Sequence, residues 1–105
     1  KLIIMKLLLI TAVREFEKDI KKILKKAQVK SFSYKDVKGF KDNTEDALEA
    51  NWFATTMQEN ESVLFYAFIE KGNVDIVFGI VAEFNEKQKT ASHIHLAMLN
   101  IEKSN

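Results

Sequence analysis

Three short runs of the chain are apolar at nearly every position. They cover residues 7–10, 63–69 and 94–99. Side chains alternate between the two faces of a strand, so a strand with one solvated face alternates apolar with polar residues. The runs therefore predict strands that are apolar on both faces, over about 6–13, 62–69 and 93–101. A looser alternation predicts one more strand over 29–40.

Two other segments repeat apolar residues at helical spacing. The first predicts a helix over about 14–28, whose lysines lie largely off the stripe and are interpreted as a solvated face, with an acidic partner as the alternative. The second predicts a helix over about 74–87, with Gly72 and Asn73 breaking the preceding strand and capping the helix. The two stripes are Phe16, Ile20, Ile23, Leu24 and Ala27, and Val74, Val77, Phe78, Val81 and Phe84.

The resulting order, β-α-β-β-α-β, predicts an α+β ferredoxin-like fold with an antiparallel sheet and both helices on one face. The other face of the sheet then has nothing in the chain to cover it. Burying roughly eight large apolar side chains there gains on the order of 10–20 kcal/mol, whereas association costs about 4–15 kcal/mol. We therefore predict self-association of a single domain that comprises residues 1–105.

Composition excludes several classes of protein. The 105 residues contain no cysteine, which rules out disulfides and thiolate chemistry. The formal net charge is +1 and Arg14 is the only arginine, which argues against nucleic-acid binding. The apolar segment 2–10 is too short to span a bilayer, so we expect a cytoplasmic protein with no membrane insertion. Met5 resembles a start position, which would make residues 1–4 an N-terminal extension.

One segment carries a family resemblance. Residues 34–40, Tyr-Lys-Asp-Val-Lys-Gly-Phe, together with 5–10, Met-Lys-Leu-Leu-Leu-Ile, resemble the PII nitrogen-regulatory signalling proteins. The CutA-type ion-tolerance proteins share that fold and are close competitors. The resemblance implies a homotrimer with inward-facing sheets, small effectors in clefts between subunits, and a T-loop that docks on a partner such as a membrane transporter. It also implies that Lys38, Gly39 and Phe40, at the base of the T-loop, bind the effector; the alternative is a simple glycine turn.

The chain departs from this family in its loops. Residues 86–92, before the last strand, contain no glycine, although the family's nucleotide loop is glycine-rich so that backbone N–H groups approach phosphate. Lys41 stands where a glycine is usual, and segment 41–50 contains no tyrosine for modification. These departures argue against ATP and 2-oxoglutarate binding of the family's usual kind and leave the cofactor unidentified. We also expect strands two and four to run parallel, which would place their loops at opposite ends of one subunit.

The two histidines supply an alternative function. His93 and His95 are two apart on one predicted strand, which places both imidazoles on one face, about 6.6 Å apart. Both could reach one divalent metal ion, and a third ligand would come from another group. This predicts a CutA-like protein of metal efflux or tolerance; otherwise the pair are strand-edge histidines with hydrogen-bond partners.

A third cluster, Asn51, Trp52 and Phe53, predicts either a surface for partner docking or ligand stacking, or side chains folded over the sheet as core. Enzyme motifs are missing, since there is no nucleophile elbow, phosphate loop or metalloprotease helix. Arg14 has no glycine beside it for acylphosphatase chemistry, and strand three lacks the RNA-recognition pattern around its aromatics. We therefore expect a non-enzymatic trimer that senses an effector, with metal binding as the runner-up.

Overall fold

The computed structural model describes residues 3–40 and 59–105, of which residues 59 and 60 are described by their backbone alone. Four strands form one sheet: β1 (Met5–Val13), β2 (Ser33–Phe40), β3 (Glu59–Glu70) and β4 (His95–Asn100). Their order is β2-β3-β1-β4, and every neighbouring pair is antiparallel. Within the described residues two helices, α1 (Glu17–Lys26) and α2 (Lys71–Lys87), complete the α+β ferredoxin-like fold that the sequence predicted.

Alternation along the strands divides the sheet into two unlike faces. Leu8, Ile10, Val63 and Phe65 are at most 1% exposed and point toward the helices. Ile20 and Leu24 of α1, and Val74, Val77 and Val81 of α2, are buried against them. The rings of Phe16 and Phe84 meet edge to face at 5.0 Å, where the two helices approach each other. The buried apolar core of the described residues therefore lies between the sheet and the two helices, on one side of the sheet.

The first helix is shorter than the predicted 14–28 at both ends. Arg14–Phe16 forms a single 3-10 turn, and α1 begins at Glu17. At the other end Gln28 adopts φ 64°, a left-handed conformation that no α-helical residue takes. The N–H of Gln28 donates to the carbonyl of Lys25 (3.0 Å) and that of Val29 to the carbonyl of Leu24 (2.9 Å). This is a Schellman cap, with glutamine at the position that glycine usually holds.

Three other boundaries differ from the sequence prediction for identifiable reasons. Strand β2 starts at Ser33, since the N–H of Val29 closes the helix cap instead of joining the sheet. Strand β4 starts at His95, since the side chain of Asn85 binds the backbone of Ile94. Helix α2 starts at Lys71, so the prediction that Gly72 and Asn73 precede it is wrong.

The prediction that strands two and four run parallel is also wrong. Strand β2 is antiparallel to β3, and β4 is antiparallel to β1, which itself opposes β3. Strands β2 and β4 are therefore antiparallel, so the end of β2 and the start of β4 lie at the same end of the sheet. Neither helix of the described residues is long and apolar enough to cross a membrane.

Candidate functional site

The face of the sheet opposite the helices, hereafter the outer face, is largely apolar. Register places Leu7 opposite both Phe68 and Leu99, and Leu9 opposite both Tyr66 and Ala97. Phe68 is 59% exposed and Tyr66 is 42% exposed, although both lie on central strand β3. The outer face is made of Leu7, Leu9, Leu64, Tyr66, Phe68, Ala97 and Leu99. Contiguous exposed apolar surface of this kind marks an interaction site.

Strand β2 limits the outer face on one side. Ser33 and Lys35 point to the same face as Tyr66 and Leu64, with which they pair, and both are exposed. The apolar surface therefore extends over β3, β1 and β4 and becomes polar at the β2 edge. The outer face is therefore bordered by polar side chains on the β2 side.

A second feature lies where β2 ends and β3 begins. The guanidinium of Arg14 forms an ion pair with Asp36 of β2 (3.5 Å) and another with Glu61 of β3. Lys38 is the register partner of Glu61 and points to the same face of the sheet. All three paired side chains are more than half exposed, so each pair contributes at most about 1 kcal/mol. The network nevertheless holds positive and negative groups at the base of the connection between β2 and β3.

The predicted effector residues lie at this same point. Lys38, Gly39 and Phe40 are the last three residues of β2. Gly39 is buried, Lys38 is exposed, and the ring of Phe40 is 63% exposed. The stretch therefore offers one cation and one accessible aromatic face. The predicted docking residues Asn51, Trp52 and Phe53 lie outside the described residues.

The loop before β4 is held by its own side chains. Gln88 accepts at Oε1 from the N–H of Thr90 (2.7 Å) and donates from Nε2 to the carbonyls of Thr90 and Ser92. The hydroxyl of Thr90 accepts from the N–H of Ser92 (3.2 Å). Asn85 accepts from the N–H of Ile94 (2.8 Å) and donates to its carbonyl (2.9 Å). Three backbone N–H groups of this loop are thus bound internally instead of being directed at a ligand.

The sequence predicted that the two histidines lie on one strand, and this is not the case. Only His95 belongs to β4, while His93 precedes it and is exposed. His95 points to the outer face beside its register partner Thr11. Burial, and secondarily the nearby charge of His93, lowers the pKa of His95, which favours its neutral form. Within residues 3–40 and 59–105, no three metal-ligating side chains come together.

The two candidate loops lie at one end of the sheet but at opposite edges. Lys38–Phe40 ends edge strand β2, and the loop with the histidines precedes edge strand β4. Three strand spacings separate these edges, a distance of about 14 Å. A small ligand bound to one loop therefore does not reach the other within one subunit.

Two features of the site were missed in the sequence. The ion pairs of Arg14 join residues 22 and 47 positions apart, and no short-range motif announces such a pairing. Asn85 and Gln88 fall at the end of a predicted helix, where amide side chains are unremarkable. One sequence feature pointed to the roles of Asn85 and Gln88: residues 86–92 contain no glycine. Amide side chains near such a loop are candidates for hydrogen bonds to its backbone.

Comparison with known proteins identifies the fold. No protein-family model matches the sequence, and no curated protein sequence matches it either. A solved DUF3240 family protein from Shewanella baltica is similar over 96% of this chain and 93% of its own, with a TM-score of 0.65 and 14% identity. The nitrogen regulatory PII-like protein CPII from Thiomonas intermedia, bound to ADP, AMP and bicarbonate, matches over 96% of both chains (TM-score 0.62, 12% identity).

Arabidopsis thaliana PII bound to citrate is similar over 93% of this chain and 78% of its own, with a TM-score of 0.65 and 13% identity. At these identities the similarity concerns the fold. The chain has a PII-like ferredoxin-like fold, as the resemblance of residues 34–40 implied.

Proposed function

We propose that this protein is a non-enzymatic regulatory protein that assembles as a homotrimer and senses a small effector at clefts between its subunits. The observation that carries this proposal is the outer face, an exposed apolar surface on the central strands of a chain with a PII-like fold. Covering it with two copies of the same chain removes the exposed rings of Tyr66 and Phe68 from water. The solved neighbours named above include nitrogen regulatory PII proteins.

The positions of the two loops support clefts between subunits. Lys38–Phe40 and the loop before β4 occupy one end of the sheet at opposite edges. A threefold arrangement that packs the outer faces together sets the β2 edge of one subunit near the β4 edge of the next. An effector at that seam would contact Lys38, Gly39 and Phe40 of one subunit and the loop before β4 of its neighbour.

The effector that fits this seam is a small anion. Lys38 supplies a positive charge, and Phe40 supplies an exposed aromatic ring. The loop before β4 does not cradle phosphate, because the N–H groups of Thr90, Ser92 and Ile94 are bound by side chains of the same segment. The proposal therefore does not include the family's usual way of binding ATP.

The output of the sensor is a change in a bound partner. We retain Asn51, Trp52 and Phe53 as the proposed docking residues, with a membrane transporter as the proposed partner of this cytoplasmic protein. Effector binding at Lys38–Phe40 would act on the segment that follows β2 directly, which contains those three residues.

Isothermal titration tests the sensing step. ADP, AMP, bicarbonate and citrate, the ligands of the solved neighbours named above, serve as probes. We expect at least one to bind, and Lys38→Gln to weaken it about tenfold or more, because a charge-assisted hydrogen bond is lost. Lys18→Gln on α1 removes the same charge elsewhere and should leave binding unchanged. Equal loss in both variants would contradict a site at Lys38.

Metal binding at His93 and His95 is the second candidate function. The lowered pKa of His95 favours it, because a histidine ligand must be neutral. The melting temperature should then rise when Ni²⁺, Cu²⁺ or Zn²⁺ is added. This rise should disappear in the His93→Ala, His95→Ala double variant. Stabilisation that survives in the double variant would exclude these histidines as ligands.

A further inference from the structure

A basic groove lies at the C-terminal end of α1, at the opposite end of β2 from Lys38–Phe40. Its volume is about 660 Å³, and it is lined by Lys21, Lys25, Gln28, Val29, Lys30 and Phe32. Three of these six side chains carry a positive charge and none carries a negative one. A groove of this volume is within the range of small-molecule sites.

Lys21 is held in a fixed position beside this groove. Its ammonium donates to Glu17 (3.1 Å) and to the hydroxyl of Tyr34 (2.8 Å), and it lies 4.2 Å from the centroid of the Tyr34 ring. An ammonium has three donors, so one remains for a ligand. Lys25 and Lys30 form no ion pair within the part of the chain that the structure describes. The charge of Lys25 and Lys30 is therefore not neutralised by a neighbour.

The negative end of a helix dipole ordinarily disfavours an anion at this position. Here the carbonyls of Ile23, Leu24 and Lys25 already accept hydrogen bonds from the N–H groups of Ala27, Val29 and Gln28. These three carbonyls are therefore not directed at a ligand, and the side chains that line the groove add positive charge at this helix end.

The groove also has an apolar wall. Val29 is buried and Phe32 is half-buried, so both present apolar atoms without being free to move away. The ring of Phe32 is fixed by Phe65 at 5.7 Å and Tyr34 at 6.2 Å between centroids. A flat apolar group fits against such a wall while a charged group reaches the lysines.

Gln28 borders the groove at a cost in stability. Its φ of 64° lies in the left-handed region, where glycine is favoured over any residue with a side chain. A glycine would close the same helix cap with less strain. The side chain present instead brings an amide, a donor and an acceptor together, to the edge of the groove.

We propose that this groove binds a small phosphomonoester with a flat apolar body. Lysines bind phosphate as point charges. Lys25 and Lys30, which have no ion-pair partner among the described residues, match the double negative charge of a phosphomonoester, with Lys21 paired to Glu17 beside them. Gln28 would hydrogen-bond the phosphate or its ester oxygen, and the apolar body would lie on Phe32 and Val29. The site is independent of the proposed effector site, from which it is separated by the length of β2.

Amide and aromatic NMR titrations of the full chain with phenyl phosphate test the proposal, with inorganic phosphate and phenol as partial probes. We expect saturable shifts at Val29, Lys30 and Phe32, and weaker binding of both partial probes. The Lys25→Gln, Lys30→Gln double variant should bind phenyl phosphate about tenfold or more weakly, because two charge-assisted contacts are lost. The matched control is the Lys22→Gln, Lys26→Gln double variant, which removes two charges from exposed positions of α1 that do not line the groove. This variant should bind phenyl phosphate as the wild type does.

Four results of the NMR titrations would overturn the proposal. These are the absence of phenyl phosphate binding, equal weakening in the two double variants, shifts confined to residues 38–40 or 88–94, and inorganic phosphate binding as tightly as phenyl phosphate. Sedimentation with phosphatidylcholine vesicles, with and without phosphatidic acid, separates a soluble ligand from a lipid headgroup. Binding only to the phosphatidic acid vesicles would also overturn it.

Discussion

Replacing Phe68 by lysine should break the proposed trimer without unfolding the subunit. Phe68 is 59% exposed and lies on the outer face, opposite Leu7 of β1. A phenylalanine buries about 150–250 Å² when covered, so about 90–150 Å² remains for a partner to bury. At about 25 cal/mol per Å² this surface contributes about 2–4 kcal/mol per subunit. Placing an ammonium there adds the cost of removing a charge from water.

Size-exclusion chromatography with light scattering measures the result. We expect Phe68→Lys to elute with the mass of a monomer at micromolar concentrations, with the far-UV circular dichroism of the wild type. Phe78→Lys makes the same substitution on α2, where the ring is 39% exposed on the other side of the sheet. This control should remain a trimer. A trimer that persists in Phe68→Lys, or dissociates equally in Phe78→Lys, would refute the assignment of the outer face as the interface.

Three further predictions concern the folded subunit. Gln28→Gly should raise the free energy of unfolding in urea by about 1 kcal/mol by relieving the left-handed φ, whereas Gln28→Ala should not. Asn85→Ala should lower it by about 1–3 kcal/mol, because the backbone before β4 loses two hydrogen bonds, while Glu86→Ala next to it changes little. Since the unfolded chain binds a proton at His95 more readily than the folded chain, stability should fall as pH drops through the ordinary pKa of histidine. His95→Gln should flatten that dependence in melts at several pH values, and His93→Gln should retain most of it.

Each of these has a result that contradicts it. An equal gain from glycine and alanine at position 28 would mean that the left-handed backbone carries no strain. No loss of stability in Asn85→Ala would show that water replaces its contacts. An unchanged pH dependence in His95→Gln would assign that dependence to other groups.

The sequence predicted the fold because strong apolar patterns specify it. The apolar run 63–69, rich in aromatic and branched residues, favours a strand, the stripe of α2 favours a helix, and the order of the elements admits few topologies. Boundaries were less predictable where backbone groups bind a local partner. The N–H of Val29 closes a helix cap, and the backbone of Ile94 binds Asn85, so neither residue extends its strand.

The candidate site was predictable only in part. Lys38, Gly39 and Phe40 were proposed from the family resemblance of one contiguous segment and stay a prediction, whereas the outer face followed from the two-sided apolar strands. The ion pairs of Arg14 depend on residues from separate elements, which the sequence does not show to be neighbours. The basic groove lies within residues 21–32, but it depends on the left-handed turn at Gln28, which the sequence pattern did not predict. The relative direction of β2 and β4 was predicted wrongly, although the ferredoxin-like order itself requires them to be antiparallel.

The mass of the wild-type protein in solution tests the central claim most directly. Native mass spectrometry and light scattering over a dilution series should give three times the 12.1 kDa subunit mass, with dissociation only at high dilution. A monomer at all concentrations would contradict the claim, because the outer face would then remain in water with no second copy to cover it.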